Sequence, residues 1–292
     1  MKLRNPIIIC ILILSANCFL NNLKNFPLIN LSSDKKIKGF GYWLFGKDMI
    51  TVNLNELSKN GVSDIFLNYY AFTLYPENGV LKWVDNANKL NIRIHIWMQA
   101  FFRDGKWIDP TKSDNSKILS DIRTEAKKYA LLKGVSGVHF DYLRYPGNAY
   151  NIDGGTTAIN LFIKTLVSTI RSVNSKCIIS AALMPETTAS EKYYGQDYTA
   201  ISKYMDVVIP MIYKGNYKGN TAWIKTTSEW YVQNTQGASV WVGLQSYKSD
   251  DDTTKLPLTE LSEDVKAALN AKANGVVLFR YGLSNNINFK SL

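Results

Sequence analysis

Histidine and cysteine are scarce in this chain of 292 residues, and their scarcity excludes several kinds of chemistry. The two histidines, His95 and His139, cannot form an HExxH motif or a histidine-rich metal site, which argues against a zinc hydrolase or a metal-dependent deacetylase. The sequence has no Gly-x-Ser-x-Gly elbow, and Cys177 stands at the start of an apolar run, so neither a serine nor a cysteine nucleophile is expected. We therefore predict that the protein uses no metal ion and no other cofactor.

Basic blocks, short repeats and proline-rich segments are absent as well. The net charge is +10, but residues 1–38 contribute half of it and the remainder is scattered, so no nucleic-acid partner is expected. Apolar residues make up 46% and charged residues 20%, which is typical of a soluble globular domain and not of a disordered chain. We expect this domain to be a monomer.

The first 20 residues have the pattern of an export signal. Lys2 and Arg4 precede an apolar run at 6–14, and small residues follow that run. The run is shorter than the roughly 20 residues that span a bilayer, so a cleaved signal peptide is favoured over a retained membrane anchor. We predict a secreted or cell-surface protein with a signal peptide or anchor at 1–20, a linker at 21–37 and one domain at 38–292.

Short runs rich in Val, Ile, Phe and Tyr alternate with longer amphipathic stretches after residue 38, which is typical of repeated strand–helix units around a parallel sheet. The stretches at 116–134, 157–173 and 258–275 have apolar residues three and four positions apart and are predicted helices. Eight units in about 250 residues predict a (β/α)8 TIM barrel, with an open doubly wound sheet as the alternative and an eighth helix that is short or missing. The predicted strands are 39–45, 64–70, 93–99, 137–143, 177–184, 206–213, 239–247 and 275–282.

The residues that close these predicted strands are polar or aromatic. Active sites of TIM barrels form at the C-terminal ends of the strands, and sugar rings stack their apolar faces on aromatic side chains. A glycan-binding cleft is therefore expected, although barrel packing is the alternative for any single aromatic residue. The candidate substrate-binding residues are Tyr42, Tyr70, His95, Trp97, His139, Tyr142, Arg144, Tyr213, Gln245 and Arg280.

Two acids are the candidate catalytic residues, because cleavage of a glycosidic bond generally needs a pair of carboxyl groups. Asp141 lies near the end of the fourth predicted strand and shares one face with His139 by strand alternation. An ion pair with Arg144 is the structural alternative for Asp141. Glu186 follows the fifth strand and is the best-placed second acid, with an exposed loop position as its alternative.

The remaining acids are placed less well for catalysis. Asp64 and Asp206 begin their predicted strands, so we expect them at the opposite end of the barrel, where residues serve stability. Asp109, Asp153 and Asp197 lie in predicted loops and are reserve candidates.

The segment GVHFDYLRYP at 137–146 resembles the fourth strand of a family of glycoside-hydrolase-like TIM barrels, which reads G-hydrophobic-H-F-D-Y-x-R-Y-P. The resemblance implies that Asp141 is the catalytic carboxylate and that Trp97, Tyr213 and Arg144 line the site. Further segments follow in the order of that family, namely IHIWMQ at 94–99, WIDP at 107–110, DVVIPMIY at 206–213, VGLQSY at 242–247 and GVVLFRYG at 275–282.

A more distant similarity concerns glycoside hydrolase family 18, whose sixth strand often ends in M-x-Y, as Met211 to Tyr213 do here. Aligned on Asp141, the acid/base Glu of that family falls on Leu143 and its middle Asp falls on His139, so we do not infer a chitinase. The order of Asp141 and Glu186 after strands four and five is instead similar to an amylase-like arrangement, in which Asp141 attacks and Glu186 protonates.

The sequence therefore predicts hydrolysis of O-glycosidic bonds in an extracellular polysaccharide or cell-wall glycan. Asp141 is predicted to act as nucleophile or base, and Glu186 as the acid. The alternative is a non-catalytic glycan-binding TIM barrel, which an Asp141 without a second acid within reach would favour.

Overall fold

Eight parallel strands close into a barrel in the computed structural model, which describes residues 36–292. Closure is direct, because the first strand pairs in parallel with both the second and the eighth. The predicted TIM barrel is confirmed, and the open doubly wound sheet is wrong. The predicted segment at 1–20 and most of the linker at 21–37 lie outside the described residues. The strands are β1 (Gly39–Leu44), β2 (Asp64–Asn68), β3 (Arg93–Gln99), β4 (Val135–Asp141), β5 (Ile178–Leu183), β6 (Val207–Pro210), β7 (Ser239–Gln245) and β8 (Gly275–Phe279).

Helices surround the barrel, and the three helices predicted from apolar spacing are confirmed as α4 (Ser116–Leu131), α5 (Gly155–Arg171) and α9 (Leu258–Asn270). In α5, for example, Ile159, Phe162, Ile163, Leu166 and Ile170 form the buried face. None of the described helices is long and apolar enough to cross a membrane. The helices are α1 (Leu54–Lys59), α2 (Ala71–Leu74), α3 (Glu77–Lys89), α4 (Ser116–Leu131), α5 (Gly155–Arg171), α6 (Ser190–Tyr194), α7 (Tyr198–Tyr204), α8 (Thr221–Asn234) and α9 (Leu258–Asn270).

Among residues 36–292, no α-helix follows β8, in line with the expectation of an eighth helix that is short or missing. Only a 3-10 turn, Phe289–Ser291, ends the described chain after β8. Phe289 of this turn stacks on Phe40, with ring centroids 5.1 Å apart, and packs edge-on against Tyr42. The turn therefore covers the outer face of β1, which a helix covers elsewhere in the barrel.

Strand alternation separates two apolar cores. Inward residues fill the barrel axis, while their neighbours along each strand pack outward against the helices. In β1, Trp43 faces inward and Tyr42 outward. The axial core is formed by Trp43, Phe66, Trp97, Val207, Ile209, Trp241 and Val277.

The N-terminal end of the barrel is closed by a buried ionic cluster around Asp64. Asp64 accepts hydrogen bonds from Arg93 Nε and Nη2 and from His95 Nε2, each at 2.8 Å, and from Ser63 Oγ at 2.6 Å. Burial by itself would raise the pKa of Asp64, but His95 and Arg93 outweigh it and hold the pKa below its usual value. Asp206 is likewise paired with Arg171. Both acids therefore lie at the end that serves stability, as expected.

Replacement of Asp64 by Ala is expected to lower the free energy of unfolding by about 3–5 kcal/mol, because it leaves His95 and Arg93 without their buried partner. The control is Asp85→Ala, which removes an exposed pair with Lys89 and is expected to cost about 0.5 kcal/mol or less. Urea denaturation of both variants measures the difference. Equal losses in the two variants would contradict the structural role of Asp64.

Candidate active site

A cavity of about 450 Å³ opens at the C-terminal ends of the strands, and we call it the central cavity. Seven of its sixteen lining residues are aromatic, which suits the apolar faces of sugar rings. Two carboxylates, Asp141 and Asp250, lie in the lining. The aromatic lining residues are Trp43, Phe45, Trp97, Tyr142, Tyr213, Tyr217 and Phe279, and the neutral polar ones are Asn68, Gln99 and Asn216.

Asp141 is the last residue of β4, and the chain turns sharply after it because Tyr142 adopts a left-handed backbone conformation with φ 55°. The turn brings the Tyr142 N–H back to Asp141 Oδ1 at 2.8 Å, while Trp97 Nε1 donates to Oδ2 at 3.2 Å. Burial raises the pKa of the Asp141 carboxyl, and these two donors and the charge of Arg144 only partly oppose that effect. Asp141 therefore holds its proton to a higher pH than an exposed aspartate does.

Arg144 lines the central cavity but does not neutralise Asp141. No carboxylate in the part of the chain that the structure describes forms an ion pair with it. Its guanidinium lies over the rings of Trp107, Tyr142 and Tyr194, at 5.0, 5.2 and 5.4 Å from their centroids, and donates to the carbonyl of Tyr145 at 3.1 Å. The structural ion pair considered for Asp141 is therefore not formed.

Asp250 is the carboxylate of the central cavity that sequence reasoning missed. Tyr247 OH donates to its Oδ1 at 2.8 Å, Gln245 Nε2 donates to the same oxygen at 3.4 Å, and Asn216 Nδ2 donates to Oδ2 at 2.9 Å. Tyr213 lies near both acids: burial raises the pKa of this phenol strongly, and Asp141 and Asp250 add to the rise. The only sequence signal for Asp250 was its position five residues after β7, in an acidic turn that resembles an ordinary surface loop.

Glu186 lies beside the central cavity and not in its lining. Its Oε1 accepts hydrogen bonds from Tyr217 OH at 2.7 Å and Tyr194 OH at 2.9 Å, whereas Oε2 is buried with no hydrogen-bond partner among the described residues. The second depression, of about 410 Å³, adjoins the central cavity, and we call it the outer groove. The outer groove is lined by Pro185, Glu186, Thr187, Tyr217, Trp223, Thr226, Thr227 and Trp230.

Six of the ten predicted substrate-binding residues lie in or directly behind the wall of the central cavity. Trp97, Tyr142, Arg144 and Tyr213 line it. Gln245 is buried behind the lining and donates to Asn216 Oδ1 at 3.1 Å, which orients Asn216 toward Asp250. Arg280 lies over the ring of Phe45 at 4.3 Å, so it supports the rim.

The other four predicted residues lie elsewhere, and the reason is the phase and depth of each strand. Tyr42 points outward and packs against Tyr281 and Phe289. Tyr70 lies beyond the end of β2 at the start of α2, with 53% of its surface exposed. The two histidines face inward but are fully buried in the barrel interior and do not line the central cavity. These four side chains therefore do not line the central cavity, and their predicted role in substrate binding stays a prediction.

The histidines are structural members of the barrel interior. His139 Nε2 accepts from Trp43 Nε1 at 3.1 Å, so Nδ1 carries the proton and donates to Ser180 Oγ at 2.9 Å. Burial lowers the pKa of His139 well below its usual value, and the ring is neutral. His95 pairs with Asp64 and fits because Gly137 opposite it has no side chain: a Cβ there would meet the His95 ring at 2.4 Å.

The reserve acids have local roles outside the central cavity. Asp109 Oδ1 accepts hydrogen bonds from Tyr145 OH at 2.9 Å and from Thr111 Oγ1 at 2.7 Å. Asp197 caps α7 by accepting from the Ala200 N–H, while Asp153 lies in an exposed loop. Within residues 36–292, no group of three or more His, Cys, Asp or Glu side chains is arranged to hold a metal ion.

Several solved glycoside hydrolase structures share this fold. The PgaB (BpsB) glycoside hydrolase domain from Bordetella bronchiseptica is 10% identical, with a TM-score of 0.66 over 85% of this chain and 95% of that one. A class V chitinase from Pseudomonas fluorescens is 14% identical, with a TM-score of 0.64 over 87% and 98%. The spore cortex-lytic enzyme SleL from Bacillus cereus is 12% identical, with a TM-score of 0.62 over 88% and 74%. At identities this low, the structural similarity shows a common fold alone.

The sequence itself gives a family match. No curated protein sequence matches the chain. Residues 77–240, which run from the start of α3 into β7 and include Asp141, Glu186 and Tyr213, match the family described as "Putative glycosyl hydrolase domain". Because the match covers more than half of the chain, this protein belongs to that family of glycosyl hydrolase domains.

Proposed function

We propose that the protein hydrolyses O-glycosidic bonds of an extracellular polysaccharide or cell-wall glycan in the central cavity. The proposal rests on one observation: two carboxylates, Asp141 and Asp250, line the same aromatic-lined cavity at the C-terminal end of the barrel. Family membership supports glycan hydrolysis in general. The export pattern at 1–20 supports a substrate outside the cell.

Asp141 is proposed as the general acid. A proton donor must remain protonated near the working pH, and burial among aromatic rings raises the pKa of Asp141 in that direction. Its Oδ2 is held by Trp97, which also forms part of the wall on which a sugar ring can stack. This role differs from the nucleophile or base predicted for Asp141 from its position along the chain.

Asp250 is proposed as the partner of Asp141, acting as nucleophile or as base for a water molecule. Its carboxylate accepts hydrogen bonds from Tyr247, Gln245 and Asn216, three neutral donors that hold its two oxygens in place in the central cavity. Glu186, the predicted acid, remains a candidate. Its Oε1 already accepts two phenol hydroxyls, and Tyr217 stands between it and the central cavity, so we assign it a lesser part in bond cleavage.

Asp141→Asn and Asp250→Asn are each expected to reduce kcat at least about 100-fold, because general acid–base groups contribute roughly that much. Glu186→Gln is expected to keep kcat within about tenfold of wild type. The measurement is release of reducing ends from chitin, peptidoglycan, β-mannan and starch by residues 36–292. Asp153→Asn, in an exposed loop outside the cavity, is the matched control and should retain wild-type activity.

The outcomes separate the candidate pairs and the alternative function. Loss of activity in Glu186→Gln with activity retained in Asp250→Asn would restore the pair predicted from the sequence. If the wild type releases nothing but binds a glycan, and binding survives Asp141→Asn, the protein is a non-catalytic glycan-binding barrel.

Asp141→Asn is also expected to change the pH dependence of stability. The folded pKa of Asp141 is raised, so its stabilising contribution is present below the pKa of an unfolded aspartate and is lost as the pH rises through the folded pKa. Asn does not titrate, so the Asp141→Asn variant does not lose stability in this way as the pH rises. The Tm of the variant minus that of the wild type should therefore increase between about pH 4 and pH 7, as measured by differential scanning calorimetry.

Asp109→Asn is a control for which the Tm difference is expected to change with pH in the opposite direction. Burial acts to raise the pKa of Asp109, but hydrogen bonds from Thr111 and Tyr145 outweigh it and lower the pKa. Its stabilising contribution is present above the unfolded pKa and is lost as the pH falls through the folded pKa, so the corresponding Tm difference should decrease as the pH rises to about 4 and stay constant between about pH 4 and pH 7. The same trend in both variants would contradict the raised pKa of Asp141.

A further inference from the structure

We propose that the outer groove is a second sugar-binding site, which holds further units of the same glycan chain whose bond is cleaved in the central cavity. The inference rests on the proposed function and deepens it, because it makes the substrate a chain of several sugars. Pro185 and Tyr217 line both the central cavity and the outer groove, so the two sites share one wall. A chain leaving the central cavity over Tyr217 enters the outer groove directly.

The outer groove presents aromatic surface along one face of α8. Trp223, Thr226 and Trp230 lie at positions i, i+3 and i+7 of this helix, so the two indoles are separated by two turns, or about 10 Å along the axis. Both indoles are partly exposed, and Thr226 between them is exposed. The spacing offers two stacking surfaces with a hydroxyl between them, which suits successive sugar rings of a chain.

This aromatic surface is fixed before any ligand arrives. Trp223 stacks on Tyr217, with centroids 5.5 Å apart and planes at 23°. Trp230 is packed from behind by Tyr198 and Tyr231, at 5.6 and 5.0 Å. A preformed surface loses little entropy when it binds a sugar ring, which favours affinity.

Glu186 supplies the polar contact that such a site needs. Its Oε1 holds Tyr217 and Tyr194, but its Oε2 is buried and has no partner in the described chain. A buried acceptor without a donor is costly, and a hydroxyl of a bound sugar is a donor of the right kind. Glu186 lines the outer groove, so a rotation of its carboxylate that turns Oε2 toward the groove lets it accept a hydrogen bond from the glycan.

The test measures glycan binding by the Asp141→Asn protein, in which turnover is suppressed. Pull-down on chitin, peptidoglycan, β-mannan and starch should show binding to at least one polymer. Adding Trp230→Ala should weaken that binding about tenfold, the loss expected for one aromatic stacking contact, while Trp230→Phe should restore most of it. Tyr150→Ala, which removes an exposed aromatic residue outside both sites, is the control and should bind as the parent does.

A second variant guards against misfolding of Trp230→Ala, whose indole packs on the core. Thr226→Arg adds bulk at an exposed position between the two tryptophans, removes no core contact, and should block the outer groove to a similar extent. Unchanged binding by both Trp230→Ala and Thr226→Arg would overturn the proposal, and so would failure of the parent to bind any of the four polymers.

Failure of this proposal is distinguishable from failure of the proposed function. With Asp141 intact, a working outer groove predicts that Thr226→Arg raises KM for the polymer and leaves kcat within about twofold, since the groove binds remote units. If Thr226→Arg hydrolyses the polymer with an unchanged KM, the proposed second site is ruled out and the proposed hydrolase function is kept. If the protein releases no reducing ends but binds a glycan, and Thr226→Arg weakens that binding, the second site is supported and the hydrolase function is ruled out.

Discussion

Closure of the sheet between β1 and β8 is the constraint on which the site depends. In a closed barrel every second residue of a strand must enter the axis, where large side chains such as Trp43, Phe66 and Trp241 fill the available space. These side chains fill the barrel axis below the central cavity. Asp141 is the first inward carboxylate above these filled layers, so it is buried on its lower side by aromatic rings and open above to the central cavity.

Asp64 and Asp141 lie at opposite ends of the barrel, and their surroundings suit one to stabilise the fold and the other to transfer a proton. Asp64 is buried with a guanidinium and an imidazole in contact, and its pKa is lowered. Asp141 is buried with an indole N–H and a backbone N–H in contact, and its pKa is raised, since the nearest cation, Arg144, faces aromatic rings instead. A paired acid stabilises the fold, whereas an unpaired acid keeps the capacity to transfer a proton.

Loops from distant parts of the chain are joined above the barrel by hydrogen bonds between side chains. Asn216, after β6, holds Asp250, after β7, and Tyr217 beside it donates to Glu186, after β5. Tyr217 thereby becomes the partition between the central cavity and the outer groove. Its phenol ring is held by Glu186 and stacked on Trp223, so the position of this partition is fixed by contacts on both sides.

The sequence by itself determined the eight strands, the three principal helices and the position of Asp141 at a strand end, because apolar periodicity and strand alternation are local properties of the chain. It did not determine the phase and depth of single residues: Tyr42 faces out because Trp43 faces in, and His139 is fully buried against Trp43 and does not line the cavity. Only the tertiary structure decided that Asp250 lies in the same cavity as Asp141, since one of the three contacts that hold Asp250 comes from Asn216, 34 residues away, through a loop geometry that leaves no periodic trace. Burial and hydrogen bonding over such separations are set by closure of the barrel, and they give an acid its pKa and a cavity its walls.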